Sequence, residues 1–189
     1  MIRKFFLGLF LALALVCGAF ASHLTPAQAA TLKAYILADP VLAPLTSGPG
    51  TDYGAIAAAL NTDASPAFVV WKTSITEGEI LQDAGMDWTR VDNLSVGKSR
   101  IWEWMFRNQT INPSQANIRT GIAAVWVGTA ADLAVQAAAL AKCKRNANRV
   151  EKLFATGTGS TASPATMTAE GPVSLSDIAG LFNLAARGN

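Results

Sequence analysis

The chain has 189 residues, of which 51% are hydrophobic, and its formal net charge is +2 at pH 7. This length suits one ordinary domain behind a leader, and the hydrophobic fraction argues against wholesale disorder because it is enough to bury a core. When Arg3 and Lys4 near the N-terminus are set aside, 13 basic and 13 acidic residues remain. The overall charge therefore predicts neither a nucleic-acid partner nor an anionic membrane partner.

Residues 1–21 have the organisation of a secretory signal peptide. Two basic residues form a positive start, residues 5–20 are uncharged and apolar, and residues 19–21 form an Ala-Phe-Ala cleavage pattern. We expect cleavage after Ala21, because the run is short for a membrane-spanning helix of about 20 apolar residues. The alternatives are an uncleaved N-terminal anchor, which would be the one contact with a membrane, and a leader without a native role.

Helix-capping signals divide the first part of the mature chain into short helices. Thr25 and Gln28 have the spacing of a capping box, with a proline at the first helical position, and Thr76 and Glu79 repeat the box. A serine–proline pair at residues 65–66 has the same cap-then-proline pattern. We therefore predict helices over residues 26–38, 52–60 and 66–71, and a further helix that begins at residue 77.

Residues 87–106 are the richest in large side chains and hold three of the five tryptophans. We predict a helix over residues 96–107, in which Ile101 and Trp104 share one face and Trp102 lies on a neighbouring stripe. This helix is expected to be buried on more than one side, because aromatic side chains bury the most area per residue. On that interpretation, Trp104→Ala would cost about 3–5 kcal/mol of stability.

The second half of the chain is predicted to form further helices and one small hairpin. Asn112, followed by a proline, begins a helix that Gly128 ends, and a threonine cap at residue 129 begins the next. Glycine, serine and threonine dominate residues 158–164, which we interpret as a linker. The predicted elements are helices over about residues 112–127, 130–144 and 146–156, a hairpin over 165–173 and a C-terminal helix from 174 to about 185.

We predict a mainly α fold, a compact bundle of several short helices with a small β-hairpin near the C-terminus, behind the N-terminal signal-like apolar segment. Residues 22–157 would form the helical core domain. Residues 158–189 would form the linker, the hairpin and a C-terminal helix packed on that core. The abundance of alanine supports this prediction, because alanine suits close-packed helices better than strands.

Charge is distributed unevenly along the mature chain. Residues 22–89 contain seven acidic and two basic residues, whereas residues 90–152 contain four acidic and ten basic residues. The two halves either pair within one fold or form a dipolar surface that stacks with copies of the chain or with partners. A nucleic-acid groove is the least favoured of the three interpretations.

Motifs for catalysis or cofactor binding are weak. Residues 97–99 (Gly-Lys-Ser) resemble the end of a phosphate-binding loop, but Asp92 stands where that loop needs a glycine. His23 is the single histidine and lies beside the cleavage site, so histidine-based catalysis and histidine–cysteine metal sites are not expected. Carboxylate pairs such as Asp83 and Asp87 leave a hydrolase as a third hypothesis. We predict no enzyme activity, no cofactor and no metal.

Candidate residues for interaction or for the core come from the aromatic stretch and from a basic cluster. Cys143 is the only thiol once the leader is removed, and its basic neighbours would favour the reactive thiolate. An inert cysteine within a helix is the more common case. Tryptophans at helical spacing are mostly core, although they can also stack on ligands. The candidates are Trp88, Arg90, Trp102, Trp104, Lys142, Cys143 and Arg145.

Several segments resemble small α-helical proteins encoded among the structural genes of tailed bacteriophages and prophages in proteobacteria. The resemblance covers nearly all of residues 24–181 and implies a virion-assembly or virion-associated role, not an enzyme. The proteins of this group are expected to begin close to residue 24, without an export signal. The segments are residues 24–28 (LTPAQ), 65–68 (SPAF), 87–98 (DWTRVDNLSVGK), 143–145 (CKR) and 151–159 (EKLFATGTG).

The sequence therefore predicts a non-enzymatic bacteriophage or prophage virion structural or assembly-associated protein. Its partners would be other phage structural proteins or copies of itself. The alternative is an exported periplasmic helical binding or adaptor protein, which the leader favours. The location is periplasmic if the leader is real, and otherwise cytoplasmic and virion-associated.

Overall fold

The structure is a computed structural model that describes residues 24–183, and within that range the chain is mainly helical with small antiparallel strand pairs. The predicted leader with its cleavage site, His23 and the last residues of the predicted C-terminal helix lie outside the described residues. The described part contains nine α-helices, α1 (Pro26–Ala38), α2 (Tyr53–Leu60), α3 (Glu77–Leu81), α4 (Trp88–Asp92), α5 (Val96–Met105), α6 (Ala116–Val125), α7 (Ala130–Lys142), α8 (Arg149–Phe154) and α9 (Leu175–Asn183).

Six short strands are formed by the described residues, namely β1 (Val69–Trp71), β2 (Ile75–Thr76), β3 (Thr110–Ile111), β4 (Lys144–Asn146), β5 (Ala155–Thr156) and β6 (Thr166–Met167). They make three antiparallel pairs, in which β1 pairs with β4, β2 with β3, and β5 with β6. The first two pairs join segments that are far apart in the sequence. They therefore help to fix how the helices between them meet.

Local capping explains where several helices begin. In α1, the backbone N–H of Gln28 donates to Oγ1 of Thr25 at 3.3 Å, and the backbone N–H of Thr25 donates to Oε1 of Gln28 at 2.8 Å. α3 and α7 begin with equivalent capping boxes at Thr76 and Thr129. The predicted bounds of α1 are confirmed at both ends, and so are the predicted caps of α3 and α7.

Buried apolar side chains form two main clusters. We call the first the aromatic core; it is built by residues 71–143, the middle of the chain. The second, the terminal core, is built mainly by α1, α2, α8 and α9, which come from the two ends. Along the chain, β1 and β4 lie at the two junctions between the segment that forms the aromatic core and the segments that form the terminal core. The aromatic core contains Trp71, Ile75, Ile80, Met86, Trp102, Phe106, Ile111, Ile122, Val125, Trp126, Val135, Ala139 and Cys143.

The helix predicted over residues 66–71 is wrong, because residues 69–71 form strand β1. The backbone N–H of Ala147 donates to the carbonyl oxygen of Phe68 at 2.8 Å, and that of Trp71 donates to the carbonyl oxygen of Ala165 at 2.9 Å. The Val-Val-Trp sequence of the strand favours extended backbone. Pairing with distant segments thus overrides the local cap-then-proline signal.

The hairpin predicted over residues 165–173 is wrong in position. β6 pairs with β5, which precedes it, so the turn is the segment that we interpreted as a linker. Gly157 and Gly159 have φ angles of +126° and +66°. Glycine adopts such conformations without steric cost, and the chain can therefore reverse direction there.

The two predicted stripes of the aromatic helix are present, but the prediction that the helix is buried on more than one side is wrong. Trp102 is 6% exposed, whereas Trp104 is 69% exposed and Ile101 is 41% exposed. α5 packs against α6, and Trp102 fills that side, where its ring meets the ring of Trp126 edge-on at 5.7 Å between centres. The large cost predicted for Trp104→Ala therefore does not apply, because truncating an exposed side chain leaves no cavity in the core.

Ion pairs join the acidic first half of the chain to the basic second half. Nη2 of Arg149 lies 2.6 Å from Oδ2 of Asp39, and Nζ of Lys142 lies 3.2 Å from Oδ2 of Asp83. Helices from both halves also meet in the terminal core. This arrangement favours the interpretation in which the two halves neutralise each other within one fold.

Candidate interaction surface

The outward side of α5 carries an apolar stripe that faces solvent. Gly97, Arg100, Ile101 and Trp104 have the spacing that places side chains on one face of a helix. Together with Met105, which is half-buried against the aromatic core beside Gly121 of α6, they line a shallow depression of about 460 Å³. We call the four exposed residues Gly97, Arg100, Ile101 and Trp104 the α5 outer face.

The inward side of α5 anchors the helix to the rest of the fold. Trp102 and Phe106 lie in the aromatic core, with 4.9 Å between their ring centres. The indole N–H of Trp102 donates to Oε1 of Glu77 at 2.7 Å, so the polar atom of this buried ring is satisfied. At the start of α5, Nζ of Lys98 donates to the carbonyl oxygen of Val127 at 2.7 Å. These contacts hold the helix by its inward side and its first turn.

Charged side chains border the apolar part of the α5 outer face. Arg100 and Glu103 are exposed, and within residues 24–183 neither makes an ion pair. An exposed tryptophan beside an arginine is the composition typical of the residues that dominate protein–protein binding. Exposed apolar surface rimmed by polar residues marks interaction sites more generally. The face is therefore suited to an apolar protein surface with a charged rim.

The seven candidates predicted from the sequence do not form one site. Two of them lie in the aromatic core, one lies on the α5 outer face, and the others are distributed over α4, α7 and β4. Helical spacing indicated the stripe on α5 but not that it faces solvent, and Gly97, Arg100 and Met105 were not among the predicted candidates. In order, the candidates are Trp88 (60% exposed), Arg90 (Nη1 4.0 Å from Oδ1 of Asp132), Trp102 (buried), Trp104 (exposed), Lys142 (paired with Asp83), Cys143 (buried) and Arg145 (paired with two glutamates).

Cys143 is fully buried at the C-terminal end of α7. Burial raises the pKa of its thiol to about 11, although Lys72 and Lys144 act in the opposite direction. The basic neighbours therefore do not produce a reactive thiolate. The structure favours the interpretation of Cys143 as an inert residue of the aromatic core.

We expect Cys143 to react with a thiol reagent at pH 8 at least about 100-fold more slowly in the folded protein than in the urea-unfolded chain. With a pKa of about 11, roughly one thiol in a thousand is ionised at that pH, and burial also blocks the reagent. The rate is followed by absorbance in a Cys17→Ser background, so that Cys143 is the only thiol. Equal rates in the two states would contradict this assignment.

Arg145 occupies the centre of a partly buried ion network. Its guanidinium donates to both carboxylate oxygens of Glu151, at 2.6 and 2.7 Å, and to Oε1 of Glu170 at 2.8 Å. Glu151 is 2% exposed, and it also accepts the backbone N–H groups of Asn148 at 3.0 Å and Gly171 at 2.9 Å. The network ties β4 to α8 and to the segment before α9. We therefore assign Arg145 a structural role and not a place on an interaction surface.

None of the helices in residues 24–183 is both long enough and apolar enough to cross a membrane. The same residues contain no group of three or more histidine, cysteine, aspartate or glutamate side chains placed to hold a metal ion. We found no family model, no curated protein and no solved structure that matches the chain. A function is therefore proposed from the α5 outer face and from the resemblance of the sequence.

Proposed function

We propose that the protein is a non-enzymatic bacteriophage or prophage virion structural or assembly-associated protein, and that it contacts another protein through the α5 outer face. The observation that carries the contact is the 69% exposure of Trp104 on the outward side of a helix whose inward side is anchored in the aromatic core. The resemblance of residues 24–181 to phage-encoded proteins supports the proposal that this contact is made in a virion or during its assembly.

The energy available at Trp104 is large enough to matter for binding. A tryptophan side chain buries up to about 250 Å², and at 69% exposure most of that area remains in contact with water. Covering on the order of 100–150 Å² of apolar surface is worth roughly 3 kcal/mol. The α5 outer face thus has one strong anchor, with the 41% exposed Ile101 beside it.

The carboxylates proposed for a hydrolase have structural contacts instead. Oδ1 of Asp83 accepts the backbone N–H of Gly85 at 2.8 Å, and this hydrogen bond, followed by the Lys142 ammonium, lowers the pKa of the Asp83 carboxyl. Asp87 caps α4 by accepting the backbone N–H of Thr89 at 3.0 Å. A general acid in glycoside hydrolysis needs a raised pKa. These contacts support a non-enzymatic role over a carboxylate hydrolase.

The second candidate function is an exported periplasmic binding or adaptor protein. It is favoured by one observation, the signal-like organisation of residues 1–21. The α5 outer face would serve a partner in that compartment equally well. The two candidates therefore differ in where the protein is found and in what it contacts, and not in which surface it uses.

The proposal is tested by following the tagged protein in a host that produces the corresponding phage. Particles are purified on a density gradient, and the periplasm is collected separately. We expect the wild-type protein in the particles, and Trp104→Ala at a level at least about 10-fold lower, since a binding anchor contributes about 2 kcal/mol or more. Leu37→Ala is the matched control, because Leu37 is a 50% exposed apolar residue of α1, on the terminal core.

A wild-type protein that is absent from particles would contradict the virion proposal, and its recovery from the periplasm would replace that proposal with the exported adaptor. Incorporation of Trp104→Ala at the wild-type level would contradict the role of the α5 outer face. Equal losses for Trp104→Ala and Leu37→Ala would also contradict it, because the effect would then not be specific to that face.

A further inference from the structure

We propose that the protein binds a phosphate group beside the ring of Trp71, between the guanidinium of Arg119 in α6 and the ammonium of Lys144 in β4. This site shares no residue with the α5 outer face, so the inference goes beyond the proposed function and does not rest on it. The position of the two cations, their lack of carboxylate partners and the hydrogen-bond donors around them carry the inference.

Arg119 and Lys144 are held close together by their contacts with one aromatic ring. Cζ of Arg119 lies 4.7 Å and Nζ of Lys144 lies 5.1 Å from the ring centre of Trp71, so these two atoms are within about 10 Å of each other. Lys144 is the partner of Trp71 in the β1–β4 pair. Nη1 of Arg119 donates to the carbonyl oxygens of Pro113 at 2.7 Å and Ser114 at 2.8 Å. These contacts fix both positive charges at one place on the fold.

Neither of these two cations is neutralised by a carboxylate of the chain. Both side chains are half-buried, and within residues 24–183, which contain all 13 acidic residues of the chain, neither forms an ion pair. Two other half-buried arginines, Arg145 and Arg149, each lie 2.6 Å from a carboxylate oxygen. A half-buried charge is costly when nothing neutralises it. An anion from outside the chain would neutralise Arg119 and Lys144 together.

The hydrogen-bond donors at this place match a phosphate group. Arg119 makes its hydrogen bonds within residues 24–183 through Nη1 alone, and Lys144 uses one of its three N–H groups for the carbonyl oxygen of Thr161 at 3.0 Å. The indole N–H of Trp71 has no acceptor among these residues and is open to solvent, unlike that of Trp126. A phosphate group has three strongly accepting oxygens, and a guanidinium can donate to two of them at once.

The start of α6 adds to the positive potential around Arg119. Gln115 at the N-cap makes no capping hydrogen bond with its side chain, and the first turn contains no acidic residue. By contrast, α1, α2, α5 and α7 each have a capping side chain. The N-terminus of a helix attracts negative charge, and a phosphate group carries more than one negative charge at pH 7. The site therefore favours phosphate over a singly charged carboxylate.

Calorimetric titration of the full chain with inorganic phosphate tests the ligand class. Ionic strength is held constant with chloride, because exposed charges are screened by salt. We expect saturable binding of one phosphate per chain, and acetate should bind at least about 10-fold more weakly, since it has a single charge and fewer acceptor oxygens. A phosphate monoester is titrated in parallel. Tighter binding of the monoester identifies the source as a phosphate group on a larger molecule, and tighter binding of inorganic phosphate identifies it as the free ion.

Substitutions test the assignment of the two cations. Lys144→Gln should weaken phosphate binding at least about 10-fold. Arg119→Lys should weaken it as well, because lysine keeps the charge but loses the planar pair of donors. The matched control is Lys98→Gln, which should bind phosphate like the wild type. The ammonium of Lys98 also donates to a backbone carbonyl oxygen, that of Val127 at 2.7 Å, but within residues 24–183 it contacts no aromatic ring.

NMR of the indole N–H groups locates the bound phosphate. The signal of Trp71, assigned by its loss in Trp71→Phe, should shift during the phosphate titration, whereas that of the sealed Trp126 should not. The inference is overturned if the wild type shows no saturable phosphate binding or binds acetate equally well. It is also overturned if Lys98→Gln and Lys144→Gln lose equal affinity while both remain folded, or if the signal of Trp71 does not move when phosphate binds.

Discussion

Replacing Arg145 with methionine is expected to lower the free energy of unfolding by about 3–5 kcal/mol at pH 7. The substitution removes the cation that contacts both carboxylate oxygens of Glu151, and Glu151 is 2% exposed. An uncompensated charge then remains in a medium of low polarity, which is far more costly than the loss of a surface ion pair. Methionine retains the packing of the arginine stem, so the effect reports mainly on charge.

The dependence on pH identifies the cause. Burial alone would raise the pKa of the Glu151 carboxyl, but the hydrogen bonds from Arg145, Gly171 and Asn148 outweigh burial and lower this pKa. In the wild type, Glu151 therefore stabilises the fold above its unfolded pKa of about 4.3, and this contribution is lost as the pH falls through the folded pKa. In Arg145→Met, only the two backbone hydrogen bonds still oppose burial, so we expect the pKa of Glu151 to be higher than in the wild type. The deficit of the variant relative to the wild type should then shrink as the pH falls from 7 to about 4.5.

Urea unfolding of the wild type and Arg145→Met at the two pH values measures this deficit. The matched control is Lys142→Met, which removes an ion pair to Asp83 at 3.2 Å whose side chains are 42% and 26% exposed. We expect the control to cost at most about 1 kcal/mol at either pH. A cost below about 1 kcal/mol for Arg145→Met, or a deficit that stays the same at both pH values, would show that the network does not hold a buried charge.

Replacing Trp102 with alanine is expected to lower the free energy of unfolding by about 3–5 kcal/mol. The ring of Trp102 packs against Phe106 and Trp126, so its removal leaves a cavity in the aromatic core. It also removes the indole donor that serves Oε1 of Glu77 at 2.7 Å. Both losses lower the free energy of unfolding, and the surrounding rings are too rigid to fill the cavity completely.

Trp104→Ala is the matched control for Trp102→Ala, because it is the same substitution in the same helix, two residues away. At 69% exposure, Trp104 leaves no cavity, and we expect a change of at most about 0.5 kcal/mol. Urea unfolding of both variants gives the comparison. Equal costs for the two substitutions would mean that the sides of α5 are assigned incorrectly.

Features that depend on neighbouring residues could be predicted from the sequence. The start of α1 follows from a threonine cap, a proline and a glutamine within four residues of each other, and the threonine and the glutamine make the predicted hydrogen bonds. The caps of α3 and α7 were predictable for the same reason. Capping depends on the chemistry of one turn, and the sequence contains all of it.

Features that depend on distant segments could not be predicted. β1 forms because residues 144–146 lie beside it, more than 70 positions along the chain, and no local signal reports that pairing. The turn between β5 and β6 was interpreted as a linker, because glycine in a sequence does not distinguish a flexible segment from a fixed turn at positive φ.

The position of the candidate site also depends on distant segments and could not be predicted from the sequence. Spacing alone defines two apolar stripes on α5, one with Ile101 and Trp104 and one with Trp102 and Phe106. Which stripe is buried depends on the side where α6 packs, and the sequence does not contain that information locally. Arg145 was a candidate because of its charge. Its structural role depends on its ion pairs with Glu151 and Glu170, which are 6 and 25 residues away in the sequence.

The most direct test of the α5 outer face as an interaction surface is hydroxyl-radical footprinting of the tryptophans, measured by mass spectrometry. The free chain at low concentration is compared with the protein in purified phage particles. We expect Trp104 to be oxidised rapidly in the free chain and several-fold more slowly in the particles, while Trp102 is oxidised slowly in both, because exposure to solvent controls the rate. Rapid oxidation of Trp104 in both states, or slow oxidation in the dilute free chain, would contradict its role as a surface that assembly covers.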